Sequence, residues 1–129
     1  MTRVGLEIQV LPGEYAVWQL PADALLPRIE GAGFLSVTRT PDEVSVVSPA
    51  DSVPAGVPAE TEFRCLAVAG PLAFNLTGVV AGLSTPLAEA KVPIFVISTF
   101  DTDYLLVRSE DLSRARRALT AAGFQITDR

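Results

Sequence analysis

Apolar and polar residues alternate from Leu6 through Glu7, Ile8, Gln9 and Val10, the period-two pattern of a half-buried strand. Pro12-Gly13-Glu14 is turn chemistry, and the segment Tyr15–Leu20, YAVWQL, reads as the strand returning beside the first. In PADALLPRIEGAG, Asp23 suits the cap of a short helical turn, while Pro27 and the glycines prevent a long helix. FLSVTRTPDEVSVVS predicts a hairpin, with Pro41-Asp42 in a type I turn and FLSVT and EVSVV as its arms. Pro49 to Glu62, PADSVPAGVPAETE, is rich in proline, alanine and glycine and lacks a period, so it is expected to be a connector.

Beyond it the pattern changes. FRCLAVA reads as a strand, and then Leu76, Val79, Val80, Leu83 and Leu87 recur at helical spacing. Pro86 falls inside that helix and is expected to bend it. VPIFVIST is almost wholly apolar, as in a central strand, and DYLLVR is expected to pair back onto it. In SEDLSRARRALTAAG, Ser109 is the expected cap, Leu112, Ala115, Leu119 and Ala122 the buried stripe, and Gly123 the stop; FQIT closes the series. The order is βαββαβ: an α+β, ferredoxin-like unit, with four antiparallel strands and two helices on one face. The expected domains are 1–60, a degenerate version of the same unit, and 61–129, the complete one.

Composition narrows the chemistry. With 129 residues, 49% hydrophobic and 19% charged, the chain has the apolar surface for a core. A net charge of −5 with no basic stripe argues against nucleic acid. Histidine is absent, which removes the commonest general base and metal ligand. One cysteine, Cys65, allows no intrachain disulfide and suits a reducing cytosol. MTRVGLEIQV lacks the apolar core of a signal peptide, and no apolar run reaches about 18 residues. The expectation is a cytoplasmic protein with no membrane span, no metal and no cofactor.

Three blocks, FLSVTRTPDEVSVVSP, LAVAGPLAFNLTGVVAGLSTPLAEAKVPIFVISTFDTDYLLV and LTAAGFQI, resemble in their order and spacing the bacterial ACT-domain family related to the cytosolic arginine sensors of the CASTOR type. The resemblance runs from about Leu6 onward. It implies tandem ACT-like modules that bind free amino acids without catalysis, with the ligand between modules or subunits. Carried over by position, the ligand-binding residues are Gly70, Pro71, Leu72, Asn75, Thr77, Gly78, Val79, Thr99, Phe100, Asp101 and Asp103. The implied partners are a free amino acid, with a cationic one such as arginine as one choice, and a second copy in a homodimer; the downstream protein partner is not implied.

The residues themselves allow that chemistry. A helix start near Asn75–Gly78 offers N–H groups to a carboxylate, and Gly78 admits close approach. Asp103 and Asp101 offer acceptors to an ammonium or guanidinium, with the hydroxyls of Thr99 and Thr102 beside them. Blander readings stand next to these. Asp101 and Asp103 are common turn residues, with Asp103 the preferred ligand of the two. Asn75 is a good cap, Gly78 eases helix packing, and Gly70-Pro71 ends a strand. Trp18 and Cys65 read as packing. Phe100 reads either as packing or, if exposed, as a lid over a ligand. Arg39 is expected to pair with Asp42 or Glu43 on the surface. The first strand's exit and the hairpin holding Asp103 are expected at opposite ends of the sheet, so that a partner module would be needed to unite them. Two other functions remain: a dimerisation module without a ligand, and a small enzyme built on Asp101 and Asp103.

Overall fold

A computed structural model describes residues 6–26, 28–31, 33–70 and 77–129. The chain divides into two compact units, one of residues 13–63 and one of residues 1–12 with 64–129. They are called here the front and back units. Among the described residues eight strands and two α-helices follow in the order β1 (Glu7–Val10), β2 (Tyr15–Leu20), β3 (Ser36–Arg39), β4 (Val44–Pro49), β5 (Ala59–Val68), α1 (Val79–Glu89), β6 (Phe95–Ser98), β7 (Asp103–Arg108), α2 (Leu112–Ala121) and β8 (Gln125–Asp128).

In the back unit the strand order is β6-β7-β5-β1-β8. The α+β, ferredoxin-like series expected from the sequence is present, with one strand more. β1 sits between β5 and β8, antiparallel to the first and parallel to the second, with Ile8 opposite both Val68 and Ile126. Two expectations are corrected here. β1 does not pair with YAVWQL, and the sheet is not wholly antiparallel, since the closing strand pairs with β1 in parallel. Period-two patterning specifies which face of a strand is buried, and a strand buried against helices can take any partner with a matching face. The core between sheet and helices joins Ile8, Val10, Leu66, Val68, Leu105 and Val107 to Val79, Leu83, Leu87, Ala115 and Leu119.

Helix α1 buries Val79, Leu83 and Leu87 at helical spacing and runs on through Pro86. Val80, expected on that face, is 37% exposed; Leu76 lies outside the described residues. Ser109 is not the cap of α2. It opens a 3-10 turn, Ser109–Asp111, and the α-helix proper begins at Leu112. Asp111 pairs with Arg114 at 2.8 Å. Ala122 of the expected stripe is exposed at the helix end. Phe124 N–H donates to the Leu119 carbonyl, and Val92 N–H to that of Leu87, so both helices end in the same 6→1 closure. Gly123 serves the second with φ 102°, but Lys91 must serve the first with φ 61°.

The front unit orders β3-β4-β2-β5, using the first half of β5. The expected hairpin around Pro41-Asp42 is present, with Val37 opposite Val46. The connector expectation is corrected: Pro49 ends β4, Ala50–Ser52 form a 3-10 turn, and β5 starts at Ala59. Pairing with Trp18 and Val17 recruits Ala59 and Glu60 into the sheet, which propensity alone would not do. Trp18 is packed against Ala16, Val44 and Val46, and its indole donates to Ser48 Oγ at 2.9 Å. Arg39 is also corrected. Its guanidinium donates to the carbonyls of Ala22 and Ala24 instead of pairing with Asp42 or Glu43.

Candidate functional site

The back unit brings two of the expected site segments to one end. In the split βαββαβ arrangement the first and second strands run the same way, so both leave the sheet at the same edge. Here these are β5 and β6. Val68, the last residue of β5, accepts a hydrogen bond on its carbonyl from Thr102 Oγ1 at 2.7 Å. Thr102 lies in the β6–β7 loop. The expectation that the exit of the first strand and the hairpin lie at opposite ends is therefore wrong, and with it the need for a partner module to unite them.

The hairpin is built locally. Ser98 and Asp103 are the closing pair of β6 and β7. Across the four loop residues between them, Thr99 N–H donates to the Thr102 carbonyl at 2.8 Å, and Thr102 N–H donates to Thr99 Oγ1 at 3.2 Å. Thr99 Oγ1 lies 3.1 Å from the Thr102 carbonyl, to which it donates. The hydroxyls expected to line a ligand thus serve as donors inside the protein. Asp101 is exposed in the turn, while Asp103 is half-buried at the start of β7. Ser98 Oγ donates to Asp103 Oδ1 at 2.6 Å, which fixes the orientation of this carboxylate. Ser98 was missed in the sequence, although counting a four-residue loop sets it opposite Asp103. Phe100 is 84% exposed at the tip, the condition under which it reads as a lid.

On the other side, Gly70 is exposed just past β5, and Ala69 N–H donates to the Glu7 carbonyl at 2.9 Å. Pro71, Leu72 and Asn75 lie outside the described residues. Thr77 is exposed. Gly78 is the residue before α1, with φ 82° and ψ 1°, and its carbonyl accepts the first helical bond, from Gly82 N–H at 2.9 Å. That left-handed conformation needs glycine, so a bulkier residue here would strain the backbone before it blocked any ligand. The Val79 side chain is buried in the core with Val68 and Val107, which leaves its main chain as the group a ligand could meet. Gly78 gives the helix start no side-chain cap, and the first turn carries no acidic residue.

Cys65, in β5, is fully buried, and burial pushes its thiol from 9.0 up to about 12, against a smaller opposing effect of Arg129. It is the small hydrophobe expected. Among the described residues no cluster of three metal-ligating side chains occurs, and no helix is long and apolar enough to cross a membrane.

The fold and this corner define a class: small α+β modules in which a strand exit, a helix start and a hairpin meet at one end of a ferredoxin-like sheet. A family model described as the ACT domain matches residues 59–121, and a second, for an N-terminal domain, matches residues 13–56. The chain is an ACT-domain protein related to the cytosolic arginine sensors. It is 31% identical over 99 residues to cytosolic arginine sensor for mTORC1 subunit 1 of Bos taurus, a match that covers 68% of this chain but 30% of that relative. A crystal structure of a protein from Agobacterium tumefaciens is 38% identical, with a TM-score of 0.89, and the match covers 96% of this chain and 93% of that one. The ligand-free regulatory subunit of aspartate kinase from Thermus thermophilus, 11% identical with a TM-score of 0.61 over 92% of this chain and 99% of that one, shares the fold.

Proposed function

We propose that this protein is a non-catalytic amino-acid-binding regulatory module, and that the back unit holds the ligand. The carboxylate of a free amino acid meets the start of α1 at Thr77–Val79, and its ammonium, or a cationic side chain, meets Asp103. The observation that supports this most is the convergence of the Asp103 hairpin with the exit of β5, joined by the Thr102–Val68 hydrogen bond. A relative's name supports the ligand class: a cytosolic arginine sensor. The front unit reads as a second ACT-like module that has lost its helices. β6 is an edge strand with Phe95 38% exposed, so a second copy adding there would sit beside the ligand and pass its presence on as a change in pairing.

The test is thermal unfolding with each common amino acid in turn, on the natural protein and on Asp103→Ala. A ligand at a hundred times its dissociation constant should raise the melting temperature by roughly 8–10 °C, from about 2.7 kcal/mol of linkage. L-Arginine is expected to lead. Asp103→Ala should keep the fold and lose the rise. Full affinity in that variant would make Asp103 a turn residue only. A natural protein that responds to no amino acid would favour a structural dimerisation module.

A further inference from the structure

The β6–β7 loop is closed on itself at Thr99 and attached to β5 at Thr102. All three polar groups of Thr102 are engaged: N–H to Thr99 Oγ1, carbonyl from Thr99 N–H, and hydroxyl to the Val68 carbonyl. The last of these leaves the hairpin altogether and is half-buried. Val68 is 2% exposed and stands opposite Ile8, and the next residue, Ala69, is tied to Glu7. Beyond the ladders that β5 makes with β1 and β7, its exit is tied to β1 by the Ala69 bond and to the hairpin loop by the Thr102 hydroxyl. Asp103 follows Thr102 directly, and Ser98 orients its carboxylate. A hydroxyl at position 102 thus sets the spacing between the chain leaving β5 and the acid that opens β7. Valine has the same branched shape and the same preference for extended backbone, so neither packing nor strand propensity explains the hydroxyl.

We infer that Thr102 is a positioning residue: its hydroxyl pins the Asp103 hairpin to the exit of β5 and so couples the two sides of the proposed ligand site. The pin is a property of the fold alone; its effect on binding rests on the amino-acid-binding reading. The test compares the natural protein with Thr102→Val and Thr102→Ser, by amide hydrogen exchange and by the melting-temperature rise produced by L-arginine and the other common amino acids. Thr102→Val should speed exchange at Ala69, Gly70, Phe100 and Asp101 roughly five-fold, the equivalent of one hydrogen bond. Exchange in the core of α2 should not change. The ligand-induced rise should fall by more than half. Thr102→Ser should restore both.

Exchange unchanged in Thr102→Val, or raised evenly along the chain, overturns the pin. An equal ligand response in the natural protein and Thr102→Val overturns the coupling and leaves the functional reading intact. A natural protein that responds to no amino acid defeats that reading, while exchange still decides the pin.

Discussion

The back unit covers its sheet with helices; the front unit covers its own with loops. Among the described residues, thirteen buried ones from Ile8 to Phe124 form the back core, and α1 and α2 supply five of them. In the front unit Ala16, Trp18, Val44 and Val46 are covered by Leu20, Ile29, Val53 and Val57, and the described part of residues 13–63 contains no α-helix. Pro21 and positive-φ glycines at positions 31 and 33 interrupt any helix there. The loop is instead strapped down by hydrogen bonds. Arg39 grips two of its carbonyls, and Phe34 N–H donates to the Tyr15 hydroxyl at 3.0 Å. A Cβ at Gly33 would come within 2.8 Å of that hydroxyl oxygen, so the strap also fixes which residue can pass over it. The difference has a functional side. A loop held by side chains can close a core but offers no row of aligned N–H groups to an anion, so only the helical unit carries the proposed site.

The contrast predicts which substitutions hurt. Leu83→Ala empties a fully buried position beneath α1 and should cost about 3 kcal/mol in urea unfolding at unchanged m-value; less than about 1 kcal/mol would mean that helix burial does not dominate the back unit. Trp18→Phe keeps an aromatic ring but removes the indole donor from Ser48. It should cost about 2 kcal/mol, with a loss confined to its ring volume and one hydrogen bond. A cost equal to that of Leu83→Ala would erase the distinction between the two ways of building a core.

The smallest effect concerns pH. Below pH 9.0 the Cys65 thiol is protonated whether the chain is folded or not; between 9.0 and about 12 the unfolded chain loses that proton and the folded chain keeps it. Stability should therefore fall, by about 1 kcal/mol from pH 9 to pH 10, and the difference between the natural protein and Cys65→Ala across that range isolates the contribution. An equal slope in both would mean that water reaches β5.

Much of this was legible in the sequence because it is local. The 36–49 hairpin follows from Pro41-Asp42, α1 and α2 from Leu83, Leu87, Ala115 and Leu119 at helical spacing, and the β6–β7 hairpin from two apolar runs around Thr99–Thr102. Partners far apart in the chain were not legible. Nothing in Leu6–Val10 says that it will lie between β5 and β8, since the same alternation suits any neighbour with a buried face. For the site, the residue types at Gly78 and Asp103 were readable. The direction of the strands and the role of Thr102 were misread and Ser98 was missed; their hydroxyls act on β5 and inside the hairpin.

The place of β1 also bears on how the molecule is made. Ile8 leaves the ribosome 118 residues before its neighbour Ile126. During translation β1 can pair with β5 long before β8 exists, so the side of β1 that β8 will cover stays open for more than a hundred codons, exposed to chaperones and to the same strand of a neighbouring nascent chain.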